Sequence, residues 1–435
     1  MRGFSKYRTS MVFCLAVLSL GVSQQLSAQV TLLLEEPYSY DGTFAGTGHA
    51  AVYLSRVCAD SPTVLRRCQP GERGAVISRY HGIAGRDWLA VPLIAYLYAV
   101  ENPEDVPLFA DSRLVAFLRR QYLDSLPLPA EKTAGSEPRY QLAGSAYDRT
   151  LYGFRFSTRP EQDDQLIAIL NASPNAASYE LLKSNCADFA KQIVNFYYPR
   201  AVHRSIVADL AIMTPKQAAK SLVSYSRHHP EVQLTSFIIP QVPGLKRSRP
   251  VHGVIESLVF AKKYVTPVLL FHPFVVGAVE AAYWTGWRFD PARGALIFNP
   301  AESGLGLERP LTAAERRAYA SQLNRIRKAS AEASEVADWR KLQSRAALEL
   351  DNRGQAFREV PLGGRTVPLG LCRGNALRLA APPELVEDLL LTRLEVELKP
   401  AKPIRTSEEQ VESDWKLLEA AREQSRAALS ADDSF

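Results

Sequence analysis

The stretch SYELLKSNCADFAKQIVNFYYP, residues 178–199, decides how this chain is read. Ser184 or Asn185 offers a side-chain acceptor for a helix start. Ala187, Ala190, Ile193, Val194 and Tyr197 then recur as an apolar stripe at helical spacing, and Pro199 stops the run. Cys186 therefore falls in the first turn of a helix. There, unpaired backbone N–H groups and the helix dipole lower the pKa of a thiol and favour the nucleophilic thiolate.

A nucleophilic thiol needs a base within hydrogen-bond reach, and histidine has the suitable pKa. The chain has 7 histidines. His203 lies just past the Cys186 helix, His228 and His229 precede a proline in a polar loop, and His252 and His272 belong to an apolar region. His49 and His81 remain, and both flank a predicted hairpin. Val30 to Leu34 reads as a strand, residues 41–48 as a Gly/Thr-rich turn, His49 to Ser55 as a second strand, and Gly74 to Tyr80 as a third that pairs with the second. His49 follows Thr47-Gly48 and is followed by Ala50 and Ala51, small side chains that leave room for a helix end. A lone histidine on a strand is ordinarily a packing residue. His49 together with Cys186 carries more weight than either alone.

Gly48-His49-Ala50-Ala51-Val52-Tyr53-Leu54 on a strand, a second strand, and a distant Asn185-Cys186-Ala187-Asp188-Phe189-Ala190 opening a helix together form an ordered pattern. This order resembles the circularly permuted papain-like thiol hydrolases, which include permuted relatives of NlpC-type peptidases and the lecithin retinol acyltransferase-like proteins. The resemblance covers roughly residues 36–200. It implies an α+β fold in which an antiparallel sheet packs on the Cys-bearing helix. Carried over residue by residue, it makes Cys186 the nucleophile and His49 the general base, with a polar residue on the following strand orienting the imidazole. That third residue should come from Ser78 to His81. His81 is preferred, and strand alternation offers Ser78 or Tyr80 instead. The oxyanion would be held by the Cys186 backbone N–H and a second donor. Asn185 is equally well explained as a plain N-cap, and Asp188 and Phe189 as local helix electrostatics and core. The helical stretch between Val91 and Leu126, marked by Leu93, Leu97 and Val100 and then Leu114, Phe117, Leu118 and Tyr122, separates the two motifs as an insertion or lid. Leu151 to Ser157 alternates as a strand, and Pro160 opens a helix through Leu170.

The composition of the 435 residues, 46% hydrophobic and 23% charged, is globular and excludes disordered, collagenous and polytopic membrane classes. Arg2, Lys6 and Arg8, the apolar run Met11 to Val22, and small residues near Ala28 match a secretory signal peptide over residues 1–28, placing the protein in the periplasm or cell envelope. That segment holds three cations and no acid, so the formal charge of +6 becomes +3 without it. Its removal, and the absence of a basic recognition module, argue against a nucleic-acid partner. In an oxidising compartment Cys58 and Cys68, ten positions apart, are expected to form a disulfide.

Three further regions are read as 29–200 for the hydrolase-like domain, 201–300 for an apolar helical region, and 301–435 for a helical region with short strands over 356–379. Residues 251–287 form either a buried helical hairpin, the preferred reading, a membrane-surface contact, or a span. Leu311 to Leu350 reads as a long helix, Glu384 to Leu398 as another, and Ser407 with Gln410 as the capping box of a last one. No metal-ligand spacing, phosphate loop or Gly-x-Ser-x-Gly elbow is seen, so no cofactor is expected. The expected function is an exported cysteine hydrolase or acyltransferase acting on a cell-wall peptide or lipid acyl group. The alternative is a non-catalytic envelope scaffold on the same fold, with Cys186 bridged to Cys372.

Overall fold

Val30, Leu32, Leu33 and Leu34 are buried in strand β1 (Ala28–Glu35), which is covered on both faces and so reads as a continuous apolar run. The computed structural model describes residues 28–37, 47–128, 138–176, 179–260, 270–282, 288–302, 305–331, 346–351, 355–362, 365–370, 372, 383–399 and 406–432. All but Ala28 of the expected signal peptide, most of the Gly/Thr-rich turn over 41–48 and part of the 251–287 region lie outside these residues.

Around β1 the chain builds β2 (His49–Leu54), β3 (Val57–Ser61), β4 (Val64–Arg67), β5 (Ala75–Ser78), β6 (Leu89–Pro92), β7 (Leu151–Thr158), β8 (Thr235–Ile239), β9 (Leu296–Asn299) and β10 (Gly306–Glu308). Eight of them form one sheet in the order β10-β9-β8-β7-β1-β2-β5-β6, antiparallel throughout except for the parallel β8–β9 pair. Strands β3 and β4 form a separate hairpin inside the β2–β5 loop, and the Cys58–Cys68 disulfide ties it as expected. The sheet continues past residue 200, because β8, β9 and β10 extend it from the far side of β7.

Helices cover both faces. They are α1 (Leu93–Tyr98), α2 (Ser112–Ser125), α3 (Ser145–Asp148), α4 (Pro160–Ala172), α5 (Cys186–Tyr197), α6 (Ile206–Asp209), α7 (Pro215–Ser226), α8 (Val254–Phe260) and α9 (Pro273–Ala282). Beyond them come α10 (Ala313–Ala331), β11 (Ala347–Leu350), β12 (Ala356–Leu362), β13 (Arg365–Gly370), α11 (Pro383–Leu398) and α12 (Glu408–Asp432). Strand alternation sorts the core. Leu32, Leu34, Ala50, Val52 and Ile77 pack with α4, α5 and α7, whereas Leu33, Ala51, Tyr53 and Val76 pack with α1, α2, α11 and α12. The architecture is thus α+β.

Two expectations change. The predicted helix to Leu350 gives way to strand β11, which pairs with β12. In the apolar region Val251 and Val276 are buried, but Leu270, Phe271, Phe274 (91% exposed) and Val275 face outward around α9 instead of packing inside. Among the described residues no helix is long and apolar enough to cross a membrane.

Candidate active site

Helix α5 begins where the sequence places it. Asn185 caps it, its Oδ1 accepting from the Ala187 and Asp188 N–H groups at 2.9 and 3.0 Å. Its Nδ2 donates to the Leu181 and Met213 carbonyls, both at 2.9 Å, so the cap residue also pins the approach to the helix. The Cys186 N–H, one residue earlier than those Asn185 takes, stays at the open N-terminus. Ala187 and Ala190 are fully buried against a face that carries Ala50, and this pairing of small side chains lets α5 lie close to β2.

Close packing brings Cys186 to His49. The imidazole and the Ala50 backbone lie close enough to the thiol to act on its ionisation. Burial opposes ionisation of the Cys186 thiol, but the charge and hydrogen bond of His49 and the Ala50 contact outweigh it, so its pKa is lowered. Burial likewise opposes protonation of His49, yet the charge and hydrogen bond of Cys186, with a smaller contribution from Glu35, raise its pKa. The opposite shifts favour a thiolate–imidazolium pair.

Gly48 sets the entry to β2. Its φ is +72°, and a Cβ there would fall 2.0 Å from the Glu35 carbonyl oxygen, so only glycine fits.

The residue that orients His49 is Ser78. Its Oγ lies 2.9 Å from His49 Nε2 and donates its single proton to the Ala50 carbonyl at 2.8 Å. With that proton committed, Ser78 can only accept from Nε2–H, which leaves Nδ1 as the basic nitrogen for the thiol. His81 does not take this role. It is exposed and meets Tyr179 edge-on, with centroids 5.1 Å apart. The cause is the two-residue period of the strand, which turns Ser78 and Tyr80 to the His49 side. Tyr80 stacks on the imidazole at 5.3 Å.

Asp188 and Phe189 are the local features expected of them. Asp188 pairs with Arg204 at 2.7 Å, and Phe189 is buried under the Arg79 guanidinium, 5.2 Å from the ring centroid. Sequence reasoning missed Arg79, which also holds Asp87 and donates to Ser184 Oγ at 2.7 Å. Cys372 is not bridged to Cys186. Both are free thiols, and Cys372 contacts the Asp105 carbonyl oxygen at 2.9 Å, where burial pushes its pKa up to about 12. Among the described residues, two groups have ligand atoms close enough to share a cation. In one, Cys58 and Cys68 are spent in the disulfide beside Glu72; in the other, Glu302 and Glu409 flank Glu308, which is already engaged by Asn299 and Ser407.

Exposed apolar side chains precede α5 in the chain. Leu181 and Leu182 are exposed just before it, and the Arg204 guanidinium donates to the Lys183 carbonyl at 3.0 Å, tying this turn to the segment that carries exposed Ile206, Val207 and Leu210. No family model, curated protein or solved structure matches the chain.

Proposed function

We propose that the protein is an exported cysteine hydrolase or acyltransferase with a permuted papain-like arrangement, working through an acyl-enzyme on Cys186. The observation that carries this reading is the Cys186–His49–Ser78 geometry, in which a buried free thiol at a helix N-terminus meets an imidazole held in one tautomer. With its proton already held by His49 Nδ1, the Cys186 thiolate attacks the substrate carbonyl carbon, and the Cys186 N–H faces the developing oxyanion. The leaving group departs with the proton from His49. Water or another acceptor then attacks the thioester, gives its proton to His49, and frees the thiolate.

Leu181 and Leu182, exposed just before the Cys186 helix, suit an acyl chain better than a charged cell-wall peptide. The Cys58–Cys68 disulfide supports an oxidising compartment. The test is intact-mass detection of an acyl adduct after incubation with p-nitrophenyl butyrate and p-nitrophenyl decanoate. The reading expects a Cys186 adduct favoured by the longer chain and absent in Cys186→Ser. No adduct from either ester, or an equal adduct in Cys186→Ser, would overturn it.

A further inference from the structure

Glu35 closes β1 directly opposite His49 in an antiparallel register, so the two side chains leave the same face of the sheet. It is 1% exposed, and a carboxylate is rarely so deep without partners. The Tyr96 hydroxyl from α1 donates to Oε1, and the Arg149 guanidinium, just past α3, lies 3.4 Å from Oε2. Tyr96 is also hydrogen-bonded to Tyr80, the ring that stacks on His49. The imidazole is therefore surrounded by Cys186 from α5, Ser78 and Tyr80 from β5 and its exit, Tyr96 from α1, and the Glu35–Arg149 pair. Apolar residues of similar volume commonly replace a buried ion pair without loss of stability. Fold stability alone therefore does not account for a charge placed under the site.

We infer that Glu35 is a positioning residue for His49, a buried carboxylate whose pairing with Arg149 and Tyr96 sets it opposite the imidazole and, through Tyr96, keeps the Tyr80 ring against it. The inference rests on the nucleophile reading of Cys186. Glu35 lies across the register from His49 and its charge reaches both members of the pair, so it supports the protonated base and opposes the thiolate. The arrangement holds both ionisations higher than the pair alone would set them, with Arg149 limiting the effect.

The experiment is the pH profile of Cys186 alkylation, measured with neutral iodoacetamide for the thiolate limb and anionic iodoacetate for the imidazolium limb. Glu35→Gln keeps an acceptor for Tyr96 and should move both limbs down by about one unit, a tenfold change in each ionisation. The double variant Glu35→Gln with Arg149→Met removes both buried charges and avoids an orphaned cation. It should move both limbs the same way by a smaller amount, and it carries the test if the single variant does not fold. Folded variants with wild-type limbs, or limbs that move in opposite directions, would overturn the role of Glu35 while leaving the nucleophile in place. A wild-type thiol inert at every pH would remove the nucleophile reading and this inference with it.

Discussion

Replacing Ser78 by alanine should disable the base without disturbing the fold. Ser78 Oγ is buried and supplies the acceptor for His49 Nε2–H. Its loss leaves that N–H without a protein partner, and stranding a buried donor costs about 1–3 kcal/mol. His49 is half-buried, so water recovers part of this and about 1–2 kcal/mol is the relevant range. The cost falls on the tautomer that presents Nδ1 to the thiol, so Cys186 alkylation by iodoacetamide near neutral pH should slow by about 5- to 30-fold. His81→Ala is the matched control. His81 is exposed and touches Tyr179 rather than His49, so its removal should change the rate by no more than about twofold. Circular dichroism spectra matching wild type would show that both variants fold. A Ser78→Ala protein that labels at the wild-type rate, with His81→Ala slowed instead, would refute the tautomer argument.

Three other substitutions probe the scaffold around the pair. Gly48→Ala puts a methyl group against the Glu35 carbonyl at a positive φ, so urea denaturation should show a loss of about 1–3 kcal/mol, together with slower Cys186 labelling. Ala190→Leu overfills the seam between α5 and β2; a cost of about 1–3 kcal/mol is expected from thermal unfolding, and a stability equal to wild type would contradict the close packing. Replacing Cys58 and Cys68 together by serine opens a loop of 10 residues' separation, worth about 2–3 kcal/mol in unfolded-state entropy, and should leave Cys186 labelling in the folded protein unchanged.

The strand–helix pair at the centre was legible because its signals are local. Small residues after His49, an Asn cap before Cys186 and an apolar stripe behind it each report on a few neighbouring positions, and β2 and α5 form over those spans. The orienting residue was less legible, since choosing among Ser78, Tyr80 and His81 requires knowing which face of β5 meets β2. Glu35 could not be read at all. It ends an apolar run and precedes Glu36-Pro37, so locally it resembles the start of a loop. Only the β1–β2 register places it opposite His49. Strand β8 and the β9–β10 pair are short and lie far from each other in sequence, and their membership of the sheet depends on pairing that no local pattern reports. The apolar stretch around α9 invited burial by composition, and the outward-facing Phe271 and Phe274 show that apolar content alone does not decide which side chains the core takes.

The central claim is that Cys186 is a thiolate activated by His49. The most direct measurement is the rate of Cys186 alkylation by iodoacetamide as a function of pH in non-reduced protein, with and without His49→Ala. Cys186 should label fast with an apparent pKa below the free-thiol value of about 8.5, rising when His49 is removed, while Cys372 stays unlabelled. Labelling of Cys186 only after unfolding, or a profile indifferent to His49, would contradict it.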